Sequence, residues 1–340
     1  MVWSGSLADP TPRRRRTDAA TEAAVLALRD QHPTWGGRKL RARLRALGTV
    51  ATVPSARTIT AILDRHGRLD PVESAKHTAW RCFVHPAPND LWQLDFTGHV
   101  ALGAGRCHPL TGLDDHARFL LGLVACADEQ EPTVRLALTA IFQRYGLPWA
   151  ILSDNGPPWG TPHPTQPLTV RSIWLIRLGI VVPHGRPHPP QTHGNVERLH
   201  RTLKADVLRG TPYRDLATCQ AAFDAWRMTY NVERPHHALD LTPPVRHYQP
   251  SPRPFPAPLP EIAYGPDDVV CTVRRGGQIA YQGRDVFLSQ ALRGQPIALR
   301  PTLTDGVLDV YYCQHRMGHL DLRGAAPTLQ PGTPRTAEPV

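Results

Sequence analysis

Three acidic residues stand where carboxylates could do chemistry. Asp95 lies inside Leu91-Trp92-Gln93-Leu94-Asp95-Phe96-Thr97-Gly98, an apolar stretch that reads as a strand. An ionised carboxylate there is costly unless it is paired or holds a metal. Asp154 closes the short run Trp149 to Ser153, and Asn155-Gly156 turns the chain after it. Strand ends in α/β folds are where sites form. Glu197 falls near the start of a helix read from about Asn195 to Leu208, after the loop Gln191-Thr192-His193-Gly194. Three such carboxylates suit metal-assisted phosphoryl transfer. A phosphodiester is anionic and repels a nucleophile. Two Mg²⁺ ions about 3.5–4 Å apart activate the attacking oxygen and stabilise the leaving one. Mg²⁺ prefers hard oxygen ligands, and one bridging Asp with a further carboxylate on each ion is a minimal set.

The Glu197 helix can be tested by angle. At about 100° per residue, Val196, Leu199, Leu203 and Val207 form one apolar stripe. Glu197, Arg201 and Lys204 cluster on a second face, rotated by roughly 120° from the first. One face packs, and the other offers a carboxylate beside two cations. A solvated helix face with ordinary charge spacings would look the same. Asp114-Asp115 also offers carboxylates on a strand, and orders the sheet edge in the plainer reading. His184, His188 and His193 lie near Glu197, but their spacing in a Pro-rich loop is poor for zinc.

The elements that must position these residues divide the chain. Residues 1–17 are a basic arm with Arg13-Arg14-Arg15-Arg16. Residues 18–70 hold three helical stretches, near 18–31, 37–47 and 55–66, the last capped by Ser55. Leu40, Leu44 and Leu47 face inward there among Arg38, Lys39, Arg41, Arg43 and Arg45. A helix-turn-helix module is expected, with Arg57, Thr58 and Thr60 on the helix that enters the major groove. Residues 71–88 are a linker. Residues 89–249 give strands at Leu91–Gly98, Cys107–Leu113 and Phe119–Ala127, then alternating helices and strands, which predicts a mixed α/β core. In 250–266 proline recurs at every second position from Pro250 to Pro260, predicting a stiff spacer. Residues 267–323 read as a small β-barrel or sandwich, with a hairpin signal at Asp305-Gly306. Residues 324–340 form a Pro- and Thr-rich tail predicted to be disordered.

Composition narrows the partner. The net charge is +10. Residues 1–70 carry 13 Lys or Arg against 6 Asp or Glu, so +7 of that charge sits at the N-terminal end. This is the electrostatic footprint of a nucleic-acid partner. The six cysteines are scattered without a Cys-x-x-Cys pair, which fits neither a disulfide framework nor a zinc knuckle. No apolar run could span a membrane and no signal-peptide core is present, so a cytoplasmic location is expected.

The quoted segments resemble a known family. Leu94-Asp95, Ser153-Asp154-Asn155-Gly156 and Gln191 to Lys204 are similar to the catalytic signatures of integrase-core (DDE-type) insertion-sequence transposases of the retroviral-integrase superfamily. Tyr230-Asn231-Val232-Glu233-Arg234-Pro235-His236-His237-Ala238-Leu239, with Thr242-Pro243-Pro244, resembles the segment that closes that core. His32 to Leu40 resembles the preceding helix-turn-helix, and Gly277-Gln278-Ile279-Ala280-Tyr281 the C-terminal tail. The resemblance covers nearly the whole chain. It implies an RNase H-like α/β core between a helix-turn-helix module and a small all-β domain. It implies Asp95, Asp154 and Glu197 as ligands of two Mg²⁺ ions, with Mn²⁺ as substitute. Arg201 and Lys204 would contact DNA near the scissile phosphate, with Gln191 in a mobile loop nearby. The partners implied are element ends, target DNA and further copies of the chain, in a nucleoid-associated enzyme that cleaves the ends and transfers them.

Two departures keep an alternative open. The family usually carries a further helix-turn-helix ahead of the one here, which implies impaired end recognition. The gap from Asp154 to Glu197 is 43 positions, longer than usual, with the excess expected between Pro157 and Pro167. The alternative is a truncated or decayed transposase that binds DNA without catalysis.

Overall fold

A computed structural model describes residues 17–69, 85–153, 168–182, 190–210, 212–324 and 329–331, with main chain alone at 190–193 and 331. These residues fall into two compact units.

The first unit holds helices α1 (Ala19–Gln31), α2 (Gly37–Leu47) and α3 (Ala56–Arg65), grouped with Pro235–Thr242. Asp18 caps α1 through Thr21 N, and Ser55 caps α3 through Thr58 N, each satisfying a donor that the first turn cannot. Val25, Leu28, Leu40, Leu44, Ile59, Ile62 and Leu63 close around Trp35, which stacks on His32 at 3.8 Å. Gly37 lets α2 approach α3: a Cβ there would meet the Ala56 carbonyl at 2.6 Å. The expected inward position of Leu47 is not borne out, since it is 45% exposed.

The second unit is built on a sheet. Strands β1 (Leu91–Phe96), β3 (Arg106–Asp114) and β4 (Leu120–Cys126) run antiparallel, with the short β2 (Val100–Ala101) on β3. β5 (Ala150–Ser153) pairs with β1 in parallel, Leu94 opposite Ser153. The order β4-β3-β1-β5, three antiparallel strands and then a parallel one, is that of an RNase H-like fold. Beyond β5, Val181 adds only one parallel bridge, to Ala150.

Period-two alternation sends the sheet's side chains to opposite faces. Trp92, Leu94 and Leu110 pack with Val134, Leu138 and Phe142 of α4 (Glu131–Tyr145) and Trp174 of α5 (Val170–Arg177). Leu113, Leu120 and Leu123 pack on the other side with Val196, Leu199 and Leu203 of α6 (Pro190–Leu203) and Phe223 of α7 (Leu216–Met228). Asn231 then pairs both its amide groups with the main chain of Leu120, at 2.8 and 3.0 Å.

The Pro-rich segment is not a free spacer. The prolines lack N–H donors, but the residues between them fasten the chain down. Ser251 N donates to the Tyr145 carbonyl, and the Arg253 carbonyl accepts from Leu147 N. The Arg253 guanidinium donates to the carbonyls of Pro148, Leu178 and Gly179 and lies 4.5 Å over Trp149. Gly146, at φ +79°, ends α4 beneath this strap; a Cβ would stand 2.7 Å from the Arg253 carbonyl. Beyond the strap, β6 (Val269–Thr272), β9 (Pro296–Pro301), β10 (Val307–Tyr312), β11 (His315–Asp321) and β12 (Leu329–Pro331) form a sheet in the order β12-β11-β10-β9-β6. The hairpin expected at Asp305-Gly306 joins β9 to β10. A separate hairpin joins β7 (Gln278–Tyr281) to β8 (Arg284–Phe287).

Candidate functional site

Asp95 is the fifth residue of β1, opposite Thr111 of β3. Its side chain is 38% exposed, and Oδ1 accepts from Phe96 N at 2.8 Å. Thr111 is fully buried and donates its hydroxyl hydrogen to the Asp95 carbonyl at 2.8 Å. The hydroxyl also lies 2.8 Å from Nε2 of His200 on α6. Its hydrogen being used, Nε2 must be the donor, which leaves Nδ1 without a proton. That nitrogen faces Asp95 Oδ2 at 3.8 Å. Burial, and then the nearby Lys204 charge, push His200 down to about 4, so the ring is neutral at neutral pH.

His200 follows Glu197 by three residues, so both lie on neighbouring positions of one helix side. The contact of His200 with Asp95 therefore brings the Glu197 turn of α6 to the exposed end of β1. Glu197 is exposed and has no side-chain partner among the described residues. Arg201 and Lys204 are exposed as well, while Val196, Leu199, Leu203 and Val207 are buried. The two faces separate as the angle argument requires.

The helix itself differs from expectation. It begins at Pro190 rather than Asn195, so Glu197 stands in its middle and Gln191 in its first turn, not in a loop. Proline favours a first-turn position, whereas Gly194 costs about 1 kcal/mol inside a helix. The Asn195 side chain donates to buried Asp115 at 2.8 Å and holds the turn that Gly194 weakens. After Leu203 the helix widens into a π-turn, Lys204–Leu208. Asp154 and His184 and His188 of the histidine trio lie outside the described residues, as does Arg13 to Arg16. Among the described residues no three His, Cys, Asp or Glu side chains gather as a metal cluster. Asp95 and Glu197 supply hard, accessible oxygen donors, the donor type Mg²⁺ takes. In the first unit Arg38 and Arg57 are exposed and Lys39 is half-buried.

Asp114 and Asp115 were the residues whose roles the sequence left least defined. Asp114 ends β3 fully buried, accepting from Asn89 N and Ala117 N; burial still raises its carboxyl above the ordinary range. Asp115 lies just past the strand and binds Arg118, Gln93 and Asn195. Partners 22 and 80 residues distant left no local sequence signal.

Residues 85–190 and 178–244 match the integrase core domain. Residues 268–328 match the IS481 family transposase C-terminal domain. Together these matches support an integrase-core transposase. It is 26% identical over 160 residues to an insertion element IS407 protein of Burkholderia multivorans, covering 46% of this chain and 54% of that one. It is 28% identical over 162 residues to an insertion element IS476 protein of Xanthomonas euvesicatoria, covering 47% and 44%. The chain thus spans about half the length of these insertion-element relatives. Against the Gag-Pol polyprotein of avian reticuloendotheliosis virus the identity is 27% over 124 residues, 36% of this chain and 10% of the polyprotein. Among solved structures, the HTLV-2 integrase catalytic core in complex with magnesium superposes at TM-score 0.35 and 16% identity, covering 50% of this chain and all of that one. The sheet order, not this superposition, carries the fold. No described helix is long and apolar enough to cross a membrane.

Proposed function

We propose that the chain is a divalent-metal-dependent DNA transposase that cleaves insertion-sequence ends and transfers the 3′-ends into target DNA. The observation that carries this reading is the junction of Asp95 with the Glu197 helix through Thr111 and His200, inside an integrase core. Asp154 follows Ser153, which pairs with Leu94, the residue before Asp95. Asp95, Asp154 and Glu197 would hold two Mg²⁺ ions, or Mn²⁺ in their place. When bound, such ions lower the barrier by activating the attacking oxygen and offsetting charge on the leaving one. The chain's own residues do the rest. Arg201 and Lys204, one and two turns beyond Glu197, would hold the flanking phosphates, with Gln191 near the same strand end. The Thr111–His200 pair ties the Asp95 main chain to the helix that carries Glu197. In cleavage a water oxygen attacks phosphorus and the 3′-oxygen leaves. In joining that 3′-oxygen attacks a target phosphate and displaces a target 3′-oxygen.

The three-helix unit would dock as a helix-turn-helix, with Arg38, Lys39 and Arg57 on phosphates. In this reading 1–17 is a basic arm, 18–70 the DNA-binding module, 89–249 the core and 267–323 a further contact domain. Joining two ends requires at least two copies on DNA, and the enzyme works in the cytoplasm on the nucleoid.

Replacing Arg38, Lys39 and Arg57 together by Ala should flatten the plot of log Kobs against log salt by about 3, near one unit per phosphate contact. An unchanged slope places DNA on another surface. The function itself is tested by metal removal. Cutting of a labelled end fragment should stop with EDTA and return with excess Mg²⁺ or Mn²⁺. Cutting that persists after chelation contradicts the reading.

A further inference from the structure

We infer that Asp115 is a positioning residue that sets the separation of Asp95 and Glu197, with Asn195 as its link to the helix. The inference rests on the metal-ligand reading above.

The carboxylate of Asp115 is 2% exposed and accepts from four donors on separate parts of the second unit. Oδ2 takes the main-chain N–H of His85 at 2.9 Å. Oδ1 takes Gln93 Nε2 at 2.7 Å, Asn195 Nδ2 at 2.8 Å and Arg118 Nη1 at 3.1 Å. Gln93, Asn195 and Arg118 are themselves buried, at 2%, 7% and 5% exposure. Arg118 supplies the countercharge and also donates to the Asp115 carbonyl. It does so from φ +56°, a left-handed conformation that a non-glycine residue holds only under constraint.

Two of these donors stand in matching places. Gln93 precedes Asp95 by two residues and shares its face of β1. Asn195 precedes Glu197 by two residues on the same helix, α6. One buried anion therefore ties together the strand and the helix immediately upstream of both carboxylates. The downstream tie is Thr111–His200, three residues past Glu197. Glu197 lies between the two ties. Asn195 has no other side-chain partner among the described residues, so its removal frees the upstream end of this span alone. Val196, Leu199 and Leu203 keep α6 packed on the sheet.

The test is Mn²⁺ binding to the purified full-length chain, followed by the EPR signal of free Mn²⁺, with thermal unfolding measured alongside. Asn195→Ala should weaken Mn²⁺ binding by about 10-fold, the low end for residues that orient metal ligands. Its unfolding temperature should stay within a few degrees of the parent. Asp115→Asn should weaken binding at least as much, with a larger thermal loss. Unchanged Mn²⁺ affinity in Asn195→Ala, beside a loss in Glu197→Gln, overturns the positioning role and leaves the metal site standing. Equal affinity in the parent and Glu197→Gln removes Glu197 as a ligand, and the inference falls with it.

Discussion

Glu197→Gln lowers both end cleavage and strand joining by on the order of 10³-fold or more, while DNA binding is kept. That factor corresponds to about 4 kcal/mol of transition-state stabilisation. The substitution preserves shape and helix propensity and removes only the anionic oxygen. Glu197 is exposed and has no side-chain partner among the described residues, so no packing or ion pair described here is lost with it. Arg201 and Lys204 stay in place on the same face, and DNA affinity should hold or rise slightly. Gel shift and product analysis on one preparation check both halves. Activity within tenfold of the parent would remove Glu197 from the chemistry.

Arg234→Ala costs about 3 kcal/mol of stability. Arg234 is buried and pairs with Asp206, Nη1 to Oδ2 at 3.4 Å, their side chains 8% and 15% exposed. The same Asp206 oxygen accepts from Trp226 Nε1 at 2.9 Å. Arg234 also reaches Thr202 Oγ1 at 3.4 Å and lies 5.9 Å from the Tyr230 ring centre. The pair joins the π-turn after α6 to the π-turn Thr229–Glu233 after α7. Removing one partner strands a charge away from water, which costs more than the pair itself contributes. Asp206→Ala should therefore be similarly damaging, and the double variant less damaging than the sum of the singles. Urea unfolding of the three variants checks the cycle. Additive losses would show that the two residues do not act together.

The sequence carried most of this architecture because the strongest signals are local. The apolar run Leu91 to Gly98 was enough to mark β1 as the strand that carries Asp95. The stripe Val196, Leu199, Leu203 fixed which side of α6 is buried and which side presents Glu197. The start of α6 was misplaced because Gly194 and Pro190 are read as breakers, and Asn195 holds the helix through a residue 80 positions away. The Pro-rich strap was misjudged for a related reason. Proline alternation specifies an extended chain, but whether that chain lies free depends on Ser251 and Arg253 meeting carbonyls of residues 145, 148, 178 and 179. The π-turns after α6 and α7 have no periodic signature in the sequence.

The most direct test of the central claim is a strand-transfer assay. Purified chain and Mg²⁺ are mixed with a labelled fragment carrying the DNA ends that flank its gene, and with a target plasmid. The account predicts plasmid joined to the labelled 3′-ends, formed by the parent and absent with Glu197→Gln. DNA bound but neither cut nor joined would contradict it, and would mark the chain as a DNA-binding remnant of a transposase.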